Sequence, residues 1–195
     1  LPCGEFSKEE IRRLADQSGL RVAHKPDSQD ICFVPGGDYA AFLEEYTGAS
    51  LPAGRFVDPE GNTLGQHQGS ARYTIGQRKG LGISLGRPMF VSAIDPRANT
   101  VTLVEDEGAL LRREVLAEDV NFLSLPREAF SEPVEVQARL RYSQRPAEAQ
   151  GLLLPDGRLR LTFREPQRAP TPGQAAVLYQ GDRVVCGGTI CGDQG

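Results

Sequence analysis

The 195-residue sequence has little of what metal sites and disulfide frameworks require. It contains two histidines and four cysteines, and the cysteines are Cys3, Cys32, Cys186 and Cys191. No two of them form a Cys-x-x-Cys motif, and the step from Cys186 to Cys191 is too loose to indicate zinc ligands. We therefore expect no metal site and no structural disulfide, but reduced thiols in a cytoplasmic protein.

Long apolar runs are also absent. No segment approaches the roughly 20 apolar residues that cross a bilayer. The first residues lack the charged start and apolar stretch of a signal peptide. We therefore expect no membrane partner and a cytoplasmic location. Because the first residue is Leu1 rather than methionine, we expect the chain to be part of something longer.

The composition favours a globular protein of one or two domains, with 39% hydrophobic and 25% charged residues. A net charge of −4 argues against a polybasic surface but leaves room for a local basic face that binds phosphate. Most basic residues are arginines, whose guanidinium suits bidentate phosphate or carboxylate contacts. Lysine occurs only at positions 8, 25 and 79.

Two helices are predicted near the start of the chain. Ser7 and Glu10 form a capping box that predicts a helix over about 8–17, ended by Gly19. Asp38 precedes a second apolar face and Gly48 follows it, which predicts a helix between them.

From Leu51 onward the pattern predicts short strands and turns. Residues 89–94 and 100–104 form one hairpin, and the final third contains two more, with turns at 155–157 and 180–182. Residues 134–141 alternate apolar and charged side chains, as a half-buried strand requires. Several short strands at regular spacing indicate a small barrel, with a boundary near residue 107.

Cys32 is the residue most suited to carry chemistry. It ends a polar loop and stands just before a Pro-Gly-Gly turn, with His24 and Lys25 nearby in sequence. A reachable, partly ionised thiol is a nucleophile or sulfur carrier, whereas a thiol between Ile31 and Phe33 can equally be a buried core residue. The local pattern leaves both interpretations open.

The glycine-rich stretch 73–82 invites comparison with phosphate-binding loops. It lacks Gly-Lys-Ser/Thr and the dinucleotide fingerprint, so a tight structural loop is favoured. Arg78 and Lys79 remain candidates for contact with an RNA backbone.

Six motifs occur in an order that closely resembles the tRNA-specific 2-thiouridylases of the MnmA type. These motifs are 25–33, 65–69, 73–82, 141–142, 165–166 and 171–174. The resemblance covers essentially the whole chain and implies ATP-dependent 2-thiolation of the wobble uridine, U34, in tRNA. It implies that Cys32 receives sulfur from a relay donor protein as a persulfide, and that an earlier cysteine assists its release.

The resemblance also implies an architecture that is mainly β. Residues 1–34 would be the helical tail of an α/β PP-loop domain with the cysteine loop. Residues 35–106 would be a small central domain, and 107–195 a β-barrel resembling those of translation factors. Family members contact tRNA through positions that correspond to Arg141, Tyr142 and Gln174. Strict alternation places Tyr142 in the core unless the strand ends or bulges before it.

The chain departs from the family in lacking the Ser-Gly-Gly-x-Asp-Ser pyrophosphate loop and the first catalytic cysteine. We therefore expect the Mg-ATP site to be absent here and this polypeptide alone to be inactive. The alternative is a non-catalytic RNA-binding barrel module in which Cys32 is a core residue.

Overall fold

The computed structural model describes residues 3–25, 34, 38–142 and 144–192. The chain divides into two compact units, 1–49 and 50–195, and each is described by itself. The first unit contains helices α1 (Lys8–Gln17) and α2 (Tyr39–Thr47). Both helices confirm the sequence prediction.

The helix ends follow from their capping residues. Ser7 Oγ accepts from Glu10 N at 3.3 Å, and Glu10 Oε2 accepts from Ser7 N at 2.7 Å, which completes the predicted capping box. Asp38 Oδ1 accepts from Ala41 N at 2.9 Å at the start of α2. Gly48 ends α2 with a left-handed backbone, as glycine C-caps commonly do.

The second unit begins with a four-stranded sheet in the order β2-β1-β4-β3. Its strands are β1 (Gly54–Val57), β2 (Thr63–His67), β3 (Phe90–Asp95) and β4 (Thr100–Val104). β3 and β4 are the predicted hairpin, and β1 pairs with β4 in parallel. Residues between β2 and β3 cover the sheet, because Leu81 and Met89 are buried against Phe56 and Val91.

The rest of the unit is a closed six-stranded barrel in the order β10-β5-β8-β7-β6-β9. Its strands are β5 (Leu111–Phe122), β6 (Val134–Arg139), β7 (Ala147–Leu153), β8 (Leu159–Arg168), β9 (Ala175–Gln180) and β10 (Arg183–Ile190). The barrel and the mainly β architecture are confirmed. Closure satisfies the backbone of every strand, since no edge remains.

Apolar residues fill the barrel from alternate positions of its strands. Val136 and Ala138 on β6 are buried, whereas Glu135 and Gln137, which alternate with them, are exposed. Phe130, from the 3₁₀ turn Arg127–Ser131, is fully buried in the same core. This inward-facing set gives one continuous core within the barrel.

A smaller apolar cluster joins the sheet to the barrel. Phe90 and Val104 come from the sheet, and Leu110 comes from the segment that connects the sheet to the barrel. Ala169 immediately follows β8. Ile75, from the glycine-rich stretch, packs against these four residues. The sequence pattern alone predicts neither this cluster nor the role of Ala169 in it.

Cys186 lies in the barrel core with no exposed surface, and burial raises the pKa of its thiol to about 11. An unfolded thiol ionises near pH 9, so unfolding releases a proton in the window between these values. The free energy of unfolding should therefore be unaffected by Cys186 below pH 9. Between pH 9 and 11 it should fall by on the order of 2 kcal/mol.

Urea unfolding from pH 7 to 11 checks this, with Cys186→Ala as the comparison. The wild-type chain should lose more stability above pH 9 than the variant, although the variant starts lower because of its cavity. Parallel pH profiles would contradict a buried neutral thiol.

Candidate nucleic-acid interface

Cys32, the predicted sulfur carrier, lies outside the described residues, together with most of the loop around it. The neighbouring His24 is described and exposed. Its Nε2 lies 2.9 Å from Asp16 Oδ1 on α1.

The three predicted tRNA contacts lie on two loops at one end of the barrel. Arg141 and Tyr142 follow β6, and Gln174 immediately precedes β9. β6 and β9 are antiparallel neighbours with Arg139 opposite Val177, so the end of one strand meets the start of the other. We call 140–146 and 169–174 the barrel-end loops. Residues 33 positions apart in sequence thus share one end of the fold.

Arg141 is the residue that connects these loops. Its Nη2 donates to the carbonyl oxygen of Ala169 at 2.6 Å and to Thr171 Oγ1 at 2.9 Å. The same Nη2 lies 3.5 Å from the carbonyl oxygen of Ile75, at the limit of a hydrogen bond. The sequence pattern predicts a solvent-facing Arg141, whereas the structure has it half-buried and engaged with protein oxygens.

Burial lowers the pKa of the Arg141 guanidinium, and the charge of Arg168 lowers it further. Arginine nonetheless stays protonated at neutral pH, because its ordinary pKa is above 12. Arg141 therefore contributes a permanent positive charge held in place by carbonyl and hydroxyl oxygens.

Tyr142 is 95% exposed, the most open of the large apolar side chains in the described residues. β6 ends at Arg139, so the alternation stops before Tyr142 and its ring turns outward. The placement in the core that strict alternation gives is wrong for this reason. An exposed tyrosine ring offers a stacking face and a hydroxyl to a ligand.

Gln174 is half-buried and its main chain is committed to the loop. Its N–H donates to the carbonyl oxygen of Thr171 at 3.2 Å, and its own carbonyl accepts from Ile190 N at 2.7 Å. The side-chain Oε1 is buried and has no hydrogen-bond partner among the described residues. An unpaired buried acceptor is uncommon in folded proteins, which marks this amide as a place to look for a ligand.

The stretch 73–82, which we call the glycine loop, has its central amides committed to protein carbonyls. Gly76 N donates to the carbonyl oxygen of Val91 at 2.7 Å, and Gln77 N donates to that of Thr74 at 2.9 Å. Gly76 has φ +87°, and a Cβ there would lie 2.9 Å from the Cβ of Ala169. The loop is therefore a structural contact with the barrel, as its sequence favours.

Arg168 has a part at this contact that the sequence pattern does not reveal. Its Nη2 donates to the carbonyl oxygen of Gly76 at 3.1 Å, and its Nε donates to Glu107 Oε1 at 2.5 Å. Its guanidinium also lies 5.9 Å from the centre of the Phe90 ring. Arg168 thus binds the Gly76 carbonyl, and Arg141 lies at the hydrogen-bond limit from the preceding carbonyl, that of Ile75.

His67 is buried rather than placed as a general base. Its Nδ1 accepts from Gly69 N at 3.1 Å, and its ring packs edge-on against Phe56. Burial lowers the pKa of the imidazole, and the nearby Asn99 backbone opposes this weakly without meeting hydrogen-bond geometry at Nε2. A neutral His67 shapes the turn after β2.

The described part of the chain contains no group of three His, Cys, Asp or Glu residues that could hold a metal. Within the same residues, no helix is both long and apolar enough to span a membrane.

Comparison with protein families gives three consecutive matches. The tRNA methyl transferase HUP domain matches residues 1–36, the tRNA methyl transferase PRC-barrel domain matches 40–105, and the aminomethyltransferase beta-barrel domain matches 112–190. The last match coincides with the observed barrel.

Curated relatives are similar along nearly the whole chain. The tRNA-specific 2-thiouridylase MnmA of Acetivibrio thermocellus is 50% identical over 190 residues, which is 97% of this chain and 52% of the relative. The corresponding proteins of Lachnoclostridium phytofermentans and Clostridioides difficile are 48% and 46% identical with the same coverage. Over nearly its whole length, this chain is similar to tRNA-specific 2-thiouridylases.

The chain spans about half the length of the 2-thiouridylases that it matches. The domain limits expected from the family, at 34/35 and 106/107, stay a prediction. So do the roles of Cys32, Arg141, Tyr142 and Gln174.

Replacing Arg141 with alanine should destabilise the barrel-end loops. The change leaves the Ala169 carbonyl and the Thr171 hydroxyl without their charged donor, which costs about 1–3 kcal/mol. Chemical denaturation of the Arg141→Ala chain should show this loss. Arg145→Ala is a matched control, because Arg145 is exposed on the same loop. Equal stabilities of the two variants would contradict a structural role for Arg141.

Proposed function

We propose that this chain is the sulfur-carrying and tRNA-binding portion of an enzyme that thiolates the wobble uridine, U34, at C2 with ATP. Cys32 is the persulfide carrier, and Arg141, Tyr142 and Gln174 contact the tRNA. The observation that carries the proposal is 50% identity to a tRNA-specific 2-thiouridylase over 190 residues. The whole enzyme acts in the cytoplasm, where its thiols stay reduced.

The arrangement of the barrel end supports the tRNA-binding part. Tyr142 is open to solvent, Gln174 has an unpaired buried oxygen, and Arg141 supplies a fixed positive charge beside both loops. Stacking, amide hydrogen bonding and charge are the three interactions that RNA recognition uses. All three come from loops, which recognition sites commonly occupy.

In the glycine loop, the Gly76 and Gln77 amides donate to protein carbonyls rather than to a phosphate. We therefore assign ATP binding to the portion of the enzyme that carries the pyrophosphate loop of the family. This chain alone is expected to be inactive in thiolation.

The proposed role of Cys32 is sulfur transfer. Its thiolate attacks the outer sulfur of a persulfide on a donor protein, so the donor's cysteine leaves as a thiolate and Cys32 becomes the persulfide. The terminal sulfur then forms a bond to C2 of a uridine whose C2 oxygen ATP has adenylated, and that oxygen leaves as part of AMP. The thiolate of a second cysteine attacks the Cys32 sulfur, which releases 2-thiouridine and forms a disulfide that a thiol reductant returns to two thiols. In sequence, Cys32 stands between Pro26 and Pro35-Gly36-Gly37, residues that favour a turn or loop suited to a carrier that must reach both donor and base.

The alternative is a non-catalytic RNA-binding barrel in which Cys32 is a core residue. In both functions the barrel binds RNA. They differ in whether the Cys32 thiol carries sulfur or is a core residue.

Changing Cys32 to serine in the full-length enzyme separates them. Thiolation of tRNA, measured as 2-thiouridine by mass spectrometry of digested tRNA, should fall below detection because serine forms no persulfide. The Kd for tRNA should stay within about twofold. Cys3→Ser is the control, since Cys3 is exposed and outside the proposed route. Thiolation by Cys32→Ser at the wild-type rate would exclude the transfer role and leave the alternative.

Two barrel-end variants of the full-length enzyme test the tRNA contacts by their salt dependence. Arg141→Ala should weaken binding and reduce the slope of log Kd against log salt by about 0.7–0.9, the value for one phosphate contact. Tyr142→Ala should weaken binding with the slope unchanged, because stacking releases no counterion. An unchanged slope for Arg141→Ala would restrict Arg141 to its structural contacts, and unchanged affinity for Tyr142→Ala would remove the ring from the interface.

A further inference from the structure

One part of the central sheet has a charge distribution unlike the rest of the chain. The 34 residues from Gly61 to Ile94 contain no aspartate or glutamate, although the whole chain has 26 of them and a net charge of −4. The same stretch contains four basic residues: Arg72, Arg78, Lys79 and Arg87. A local positive surface therefore exists on an acidic protein, which net charge alone conceals.

The folded structure removes nearby negative charge as well. Glu105 Oε1 lies 2.6 Å from Arg87 Nη1, and Glu107 accepts from Arg168. These are two of the three carboxylates that follow β4, and each pairs with an arginine, whereas the third, Asp106, accepts from Gly108 N at 2.8 Å. Arg78 and Lys79 are exposed and have no carboxylate partner among the described residues. They are the uncompensated charges of this surface.

The surroundings of Arg78 favour the binding of an anion beside its guanidinium. Its guanidinium lies 5.9 Å from the centre of the buried Phe90 ring, and the guanidinium of Arg168 lies at the same distance from that ring. Two cations thus approach one aromatic ring, and Glu107 neutralises only Arg168. A phosphate beside Arg78 would supply the missing negative charge.

The loop that carries these charges is held in one conformation. Gln77 Oε1 accepts from Thr74 N at 3.0 Å, and Gln77 Nε2 donates to the carbonyl oxygen of Lys79 at 2.9 Å. Gly80 and Gly82 have φ +70° and +72°, a backbone that other residues rarely adopt. Because the loop is ordered by its own contacts, an anion bound there requires little further ordering.

Open space adjoins the two charges. Residues 78–84 and 87–89 line a cleft of about 640 Å³. A Cβ at Gly82 would meet no atom within 4 Å, and one at Gly80 would meet only the end of the Gln77 side chain at 3.9 Å. The side of the loop next to Lys79 therefore carries no bulky group that would keep a polynucleotide backbone away.

The same loop is fixed to the barrel-end loops. Arg168 binds the carbonyl oxygen of Gly76, two residues before Arg78. Arg141, the residue before Tyr142, lies 3.5 Å from the carbonyl oxygen of Ile75 through its Nη2. The positive charges of the glycine loop thus begin where the proposed tRNA contacts of the barrel end.

From these observations we propose that Arg78 and Lys79 bind backbone phosphates of the same tRNA, with Arg168 as the residue that positions their loop on the barrel. The inference rests on the proposed function and extends its interface from the barrel onto the central sheet. It gives the positive charge of residues 61–94 a ligand class, the RNA phosphodiester backbone.

The test uses the full-length enzyme and unmodified substrate tRNA, with Kd measured from about 50 to 200 mM salt. Arg78→Gln combined with Lys79→Gln should reduce the slope of log Kd against log salt by about 1.4–1.8, the value for two phosphate contacts. The charge-conserving pair Arg78→Lys and Lys79→Arg should keep most of the slope. Arg168→Gln should weaken binding less and also lower the thermal midpoint.

The control is Arg97→Gln combined with Arg183→Gln. These arginines are exposed, lie at other turns of the second unit, and change the net charge by the same amount. The control should retain the wild-type slope. An equal fall in control and test would indicate a general charge effect and overturn the proposal, as would an unchanged slope in the Arg78/Lys79 variant.

The outcomes separate this inference from the proposed function. If the wild-type enzyme binds tRNA and the Arg78→Gln/Lys79→Gln variant keeps the wild-type slope, only the glycine-loop site fails. If the wild-type enzyme does not bind tRNA, both proposals fail. Circular dichroism of each variant confirms folding, and the exposed positions of Arg78 and Lys79 give no reason for its loss.

Discussion

The second unit of this chain depends on a contact in which two arginines bind the carbonyl oxygens of one turn. Arg141 and Arg168 reach Ile75 and Gly76 from the barrel, and Ala169 packs where any side chain at Gly76 would have to lie. Phe90, Val104 and Leu110 pack with Ala169 beside these contacts. The contact fixes which loops of sheet and barrel are neighbours.

That constraint turns scattered sequence motifs into one surface. The barrel order places the ends of β6 and β8 beside the starts of β7 and β9, so Tyr142 and Gln174 share an end of the barrel. The arginines then attach the glycine loop to that end. Arg168 binds the carbonyl oxygen of Gly76 and also pairs with Glu107, so this carboxylate is engaged by Arg168 rather than by Arg78.

Much of this fold could be predicted from sequence because its signals are local. The capping box at Ser7, the alternation along β6 and the turns of three hairpins each depend on adjacent residues, and all are confirmed. Tyr142 could not be placed, because alternation does not say where a strand ends. Arg168 and Ala169 could not be assigned, since their partners lie 92 and 93 positions away in sequence. The absence of acidic residues from 61–94 can be seen in the sequence and indicates the local positive charge of the glycine loop.

The most direct test of a single tRNA surface is amide hydrogen exchange of the full-length enzyme with and without tRNA. We predict that residues 76–82, 140–142 and 171–174 gain protection together on tRNA binding. The turns at 154–158 and 180–183, at the opposite end of the barrel, should exchange as before. Protection confined to those opposite turns, or protection of the barrel loops without the glycine loop, would contradict one continuous surface.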